Sequence, residues 1–108
     1  MTDLKKLQKE MAEWQNLNFP GREPWMPLLG VGEEVGELNH AYLKMRQGIR
    51  GNSEEHQAAM IDAVGDTIIF LMNFCSDVGI DVEDALLTTW REVQKRDWRK
   101  NPYTGSEV

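Results

Sequence analysis

Five carboxylates fall into two tight groups in this 108-residue chain: Glu33, Glu34 and Glu37, then Asp62 and Asp66. At helical spacing, residues three or four apart are surface neighbours, so each group lies on one helix face. Ionised carboxylates brought within about 4 Å of one another repel by about 4 kcal/mol per pair at an effective dielectric near 20. A site that gathers four or five of them in partly dry surroundings therefore holds protons or a cation. Oxygen-only ligation suits Mg²⁺, or Mn²⁺, with water filling the remaining positions. Taken singly, Glu33 and Glu34 read as solvated and Asp66 as a satisfied core acid; the metal reading rests on both groups together. Glu37 and His40 form a Glu-x-x-His pair of the di-iron type. The second pair such a site needs is missing, because Ser53 stands three residues before His56.

The elements that would position these acids are helices. Leu4, Leu7, Met11, Trp14 and Leu17 predict a first helix from about Thr2 to Leu17, with Thr2 as its cap. Residues 18–27 hold Pro20, Gly21, Pro24 and Pro27 and read as a loop. A second helix is expected to start at Pro27 and to stop at Gly48, with Leu28, Val31, Val35, Leu38, Tyr42 and Met45 as its apolar stripe. Gly30, Gly32 and Gly36 weaken it by about 1 kcal/mol each, and close approach of another helix or a ligand is the usual compensation. Ser53 is the expected cap of a third helix ending near Val78, and Asp81 of a fourth running to about Trp98. Residues 101–108 read as a polar, partly disordered tail.

The third helix is apolar around most of its circumference, which predicts a central, buried element. Asp62, Asp66, Asn73 and Asp77 nevertheless share one sector, roughly 60° wide at 3.6 residues per turn. Packing its apolar side on the stripe of the second helix would bring Glu34 and Glu37 toward Asp62 and Asp66. The expected architecture is all-α: a four-helix bundle formed by one domain over residues 1–100.

Composition narrows the function classes. The net charge of −6 argues against a binder of nucleic-acid polymers. Arg91, Lys95, Arg96, Arg99 and Lys100 crowd the C-terminal region, which suits a metal-bound polyphosphate or simply a solvated helix end. Asp66, Asn73 and Asp77 interrupt the longest apolar runs, so no membrane span is expected. The single cysteine, Cys75, excludes an internal disulfide framework and reads as a small buried residue. With no signal-peptide organisation at the N-terminus, the expected setting is the cytosol.

Glu33-Glu34-Val35-Gly36-Glu37-Leu38, followed by Asp62-Ala63-Val64-Gly65-Asp66 and an apolar run, resembles the MazG-like nucleoside triphosphate pyrophosphohydrolases. The resemblance covers nearly the whole chain, and the segment from Arg96 through Trp98 to Pro102 is also similar to small members. It implies hydrolysis between the α- and β-phosphates, a helical dimer or tetramer, and Mg²⁺ held by Glu34, Glu37 and Asp66. The family's second motif has Glu three residues before its Asp. Here that position is Ala63, and Asp62, one position earlier and on the same face, is the substitute ligand.

On that basis Glu33 or Glu34 accepts a proton from the attacking water. Lys44, Lys95 and Arg96 are candidates for the outer phosphates, Trp25 for stacking on the base and Asn73 for hydrogen-bonding it. A short bundle with four Trp residues is expected to self-associate, with its site completed by a neighbouring chain. The principal alternative is a non-enzymatic helical interaction module with an acidic partner-binding surface.

Overall fold

The computed structural model describes residues 3–106, which form four helices and no strand. Helix α1 spans Leu4–Asn18, α2 Trp25–Gln47, α3 Ser53–Asp77 and α4 Val82–Val93. The α1 cap is Asp3, whose carboxylate accepts from the backbone N–H of Lys5 and Lys6; Thr2 lies outside the described residues. Pro27 is not the first residue of α2 but the third, where a missing N–H costs no helical hydrogen bond. Asn52, not Ser53, caps α3. Its side chain accepts from the Glu55 N–H while the Glu55 carboxylate accepts from the Asn52 N–H, a reciprocal capping box.

Helix α3 packs most extensively on α2 and also contacts α1, which in turn holds α4. Apolar contacts of α1 around Leu7, Met11 and Trp14 with Ile69 are joined by polar ones. Buried Gln8 donates to Ser76 Oγ and the Ile80 carbonyl and accepts from the Val82 N–H. Buried Gln15 reaches the Asn73 carbonyl and the Asp77 carboxylate, both at 3.4 Å. Lys5 Nζ binds Asp81 and Asp84 at the start of α4, at 2.9 and 2.8 Å.

Two expectations about packing are corrected. Helix α3 is central but not buried: Ile61, Val64, Ile68 and Leu71 form an exposed row along it. The two apolar stripes meet only in part: Val31, Leu38 and Met45 of α2 are half-buried, and Met45 lies across a groove from Ile61 of α3. Helix α2 faces α3 through Pro27, Gly30, Glu34 and Ala41, while Leu28, Val35 and Tyr42 of its stripe stay exposed. Gly30 explains the choice of face, since a Cβ there would lie 2.6 Å from the Phe70 ring. Gly32 and Gly36 have no neighbour within 4 Å of that position, so close approach accounts for one glycine of the three.

Helix α4 ends at Val93, five residues short of Trp98, because the chain closes on itself there. The Asp97 N–H donates to the Gly105 carbonyl at 2.7 Å, and the Gly105 N–H to the Asn101 carbonyl at 2.8 Å. Gly105, at φ +71°, sits so close to the Trp98 ring that a Cβ would meet it at 2.9 Å. Residues 101–106 thus form a turn closed on Asp97.

By length and composition α3 is apolar enough to cross a membrane, with a mean hydropathy of 1.5 over 18 residues. This departs from the sequence expectation, because its acids interrupt one stripe and leave the rest of the surface apolar.

Candidate functional site

The stripe of polar residues on α3 divides among three environments. Asp62 and Asp66 line a cavity of about 430 Å³ between α2 and α3, together with Glu34, Glu37 and Lys44. Asn73 lines a second cavity of about 500 Å³, walled by Trp14, Phe19, Met26 and Phe70. Asp77 belongs to neither. Arg22 holds it in a two-pronged pair, Nη2 on Oδ1 and Nε on Oδ2 at 3.2 Å, with both side chains nearly buried. Asp66 lines both cavities and is the joint between them.

Glu34 carries the electrostatic signature of the first cavity. Partial burial raises its pKa above the ordinary glutamate value, and the charges of Asp66, Glu37, Glu33 and Asp62 push it further. Glu33 itself is exposed and does not line the cavity. Among the described residues no three His, Cys, Asp or Glu side chains are gathered into a ready metal cage. Mg²⁺ seldom uses such a cage. It is usually held by one or two carboxylates, water and substrate phosphates, and an open wall carrying the carboxylates of Glu34, Glu37, Asp62 and Asp66 fits that habit.

The cavity also has a cation that the sequence reading passed over. Arg50 lines it beside Lys44, in the loop that joins α2 to α3. It is the one non-glycine residue at positive φ, +58°, among the described residues, a conformation costing about 1–2 kcal/mol. The loop is held from both ends. Gly48, at φ +70°, closes α2, and buried His56 binds the Ile49 carbonyl through Nε2 at 2.9 Å. The sequence signal was an arginine between two glycines, Gly48 and Gly51, at the junction of two helices.

The second cavity is apolar with one polar element. Asn73 is 4% exposed, and its Oδ1 has no hydrogen-bond partner among the described residues. Trp14 and Phe19 meet edge-to-face at 5.7 Å on its wall. Both were missed as site residues because Trp14 sits in the α1 apolar stripe and reads as core. Trp25, Lys95 and Arg96 line neither cavity, and His40 borders the acidic one without a second Glu-x-x-His pair beside it.

No protein-family model matches this chain. No curated protein matches it, and no solved structure does. The described residues thus belong to an all-α protein of four helices, with an acid-lined cavity joined through Asp66 to an aromatic one.

Proposed function

We propose that this protein is a Mg²⁺-dependent nucleoside triphosphate pyrophosphohydrolase, releasing nucleoside monophosphate and pyrophosphate. The observation that carries the reading is the shared position of Asp66. An apolar cavity with one unsatisfied amide suits a heterocyclic base, and an acid-and-cation-lined cavity suits a metal-bound polyphosphate. Asp66 stands where the two halves of one nucleotide would join. The resemblance of the Glu33–Leu38 and Asp62–Asp66 segments to MazG-like enzymes supports the same chemistry.

Each half has work for its residues. The Asn73 amide pairs with the base edge, relieving an unsatisfied buried acceptor worth about 1–3 kcal/mol. Trp14, Phe19 and Phe70 enclose the ring and exclude water. Lys44 and Arg50 hold the outer phosphates, Arg50 by paired donors. Glu34, rather than Glu33, accepts the proton of the attacking water, because it faces the cavity and its raised pKa lies closer to neutrality. Mg²⁺ held by Glu37, Asp62 or Asp66 would supply water activation and neutralise phosphate charge. The water oxygen bonds to the α-phosphorus as the bond to the bridging oxygen breaks, and pyrophosphate leaves.

A panel of nucleoside triphosphates, assayed for pyrophosphate with and without Mg²⁺, tests the reading. Release from at least one, abolished by chelation, is expected. No release from any would favour the helical interaction module, which the exposed apolar rows on α2 and α3 would also suit. Glu37→Gln and Asp66→Asn should each lower turnover by more than about 100-fold, with helix content by circular dichroism unchanged.

A further inference from the structure

The acid-lined cavity is polarised along its length. Glu34 and Glu37 on α2, with Asp62 and Asp66 on α3, stand toward the end that Asp66 shares with the apolar cavity. Lys44, Arg50 and His56 stand at the other end, where α2 turns into α3. Glu34 and Lys44 are ten residues apart in one helix, hence about 15 Å apart along its axis. The two cations differ in freedom. Lys44 Nζ is engaged, donating to Gln47 Oε1 at 2.9 Å. Arg50 has no hydrogen bond or ion pair among the described residues, although acids line the same cavity.

The backbone around Arg50 is committed on both sides. The Gly48 N–H donates to the Met45 carbonyl at 3.1 Å and the Ile49 N–H to the Lys44 carbonyl at 3.2 Å. Asn52 is occupied by the capping box of α3. Between them Arg50 and Gly51 both take positive φ, +58° and +131°. His56 ties this arch to α3. It is 7% exposed, and its Nε2 lies 2.9 Å from the Ile49 carbonyl. A carbonyl oxygen only accepts, so Nε2 carries a proton and spends it on the residue before Arg50. The ring also lies against Gly51, where a Cβ would stand 3.4 Å from His56 Cε1. An arginine whose backbone is already set loses less freedom on meeting an anion than one on a loose loop.

We infer that His56 is a positioning residue: through the Ile49 carbonyl it holds Arg50 in the cavity wall, set for the outer phosphates of a metal-bound polyphosphate. His56 touches no phosphate itself, because its donor is spent on the backbone. The nucleotide then lies with its base at the Asp66 end and its outer phosphates at the α2–α3 turn. The inference rests on the polyphosphate reading of this cavity and not on hydrolysis there.

Calorimetric titration of the whole chain with Mg²⁺-bound inorganic tripolyphosphate is the test. Arg50→Gly and His56→Leu should each weaken binding by more than about tenfold. His56→Gln, whose amide nitrogen takes the place of Nε2 as donor to Ile49, should stay within about threefold of the wild type. The double variant Arg50→Gly/His56→Leu should bind no more weakly than Arg50→Gly alone, since His56 acts through Arg50. A general defect in the fold would repeat its loss in the Arg50→Gly background. His56→Phe also removes the donor while keeping a ring, and it gives the same reading if the leucine variant loses helix content. No binding by the wild type would overturn the inference. So would wild-type affinity in Arg50→Gly or in the donorless His56 variants, additive losses in the double variant, or a loss in His56→Gln equal to that in His56→Leu. Tripolyphosphate binding with this coupling, but no nucleoside triphosphate hydrolysis, would keep the inference and remove the pyrophosphohydrolase reading. Hydrolysis without the coupling would do the reverse.

Discussion

Glu34 makes the acid cavity measurable as a stability effect. Its folded-state pKa is raised, so the folded chain binds that proton more tightly than the unfolded chain does. By linkage, stability falls as pH rises through the interval between the ordinary glutamate value and the raised one. Glu34→Gln removes this penalty. It should melt higher than the wild type at neutral pH, with the difference closing as the pH drops below the ordinary glutamate range; equal melting at neutral pH would mean the carboxylates do not share a field. Arg50 makes the converse trade, conformational cost for a cation at the cavity wall. Arg50→Gly keeps the φ of +58° without a side chain in the way. It should stabilise the fold by about 1 kcal/mol in denaturant titration and raise KM for the triphosphate. The acids were legible from their spacing, because i and i+3 or i+4 is a geometric statement about any helix. Arg50 was not, because a loop residue's direction depends on φ angles that no periodicity encodes.

At the scale of elements, the number and order of helices followed from periodicity and from glycine and proline punctuation. Their mutual faces did not. The α2 stripe at Leu28, Val31, Val35, Leu38, Tyr42 and Met45 reads as the side that meets α3, yet the most buried row of α2 runs through Pro27, Gly30 and Ala41, with only Val31, Leu38 and Met45 of the stripe half-buried beside it. A pattern identifies the side of a helix that leaves water without naming its partner, and here three members of that stripe remain exposed within the single chain. The same facing geometry separates the glycines. Gly30→Ala should destabilise by about 1–3 kcal/mol, because the Phe70 ring cannot retreat freely from a new methyl group. Gly32→Ala, in open space, should instead stabilise by about 1 kcal/mol through helix propensity. Chemical denaturation of the two variants decides both signs. The end of α4 was misread for a related reason: the Asp97–Gly105 and Gly105–Asn101 hydrogen bonds close a turn, and a polar segment with one Pro and one Gly carries no periodic sign of that closure.

For the whole molecule, the shortage of buried apolar side chains is the dominant fact. Ala41, Ala63, Met72 and Cys75 are the buried hydrophobic residues, beside Gln8, Gln15, His56 and Asn73 as buried polar ones. So small a core does not by itself account for a stable 108-residue fold. A chain stabilised by its own second copy should melt at a temperature that rises with protein concentration, whereas a self-sufficient monomer would melt at a constant one.

The most direct test of the central claim, that the acids of α2 and α3 serve triphosphate hydrolysis in one Asp66-jointed site, is phosphorus NMR of a susceptible nucleoside triphosphate incubated with the protein and Mg²⁺ in ¹⁸O-labelled water. The account predicts nucleoside monophosphate carrying the label on its α-phosphorus, unlabelled pyrophosphate, and neither product with Asp66→Asn. Label in the pyrophosphate, release of single phosphate, or full turnover by Asp66→Asn would contradict it.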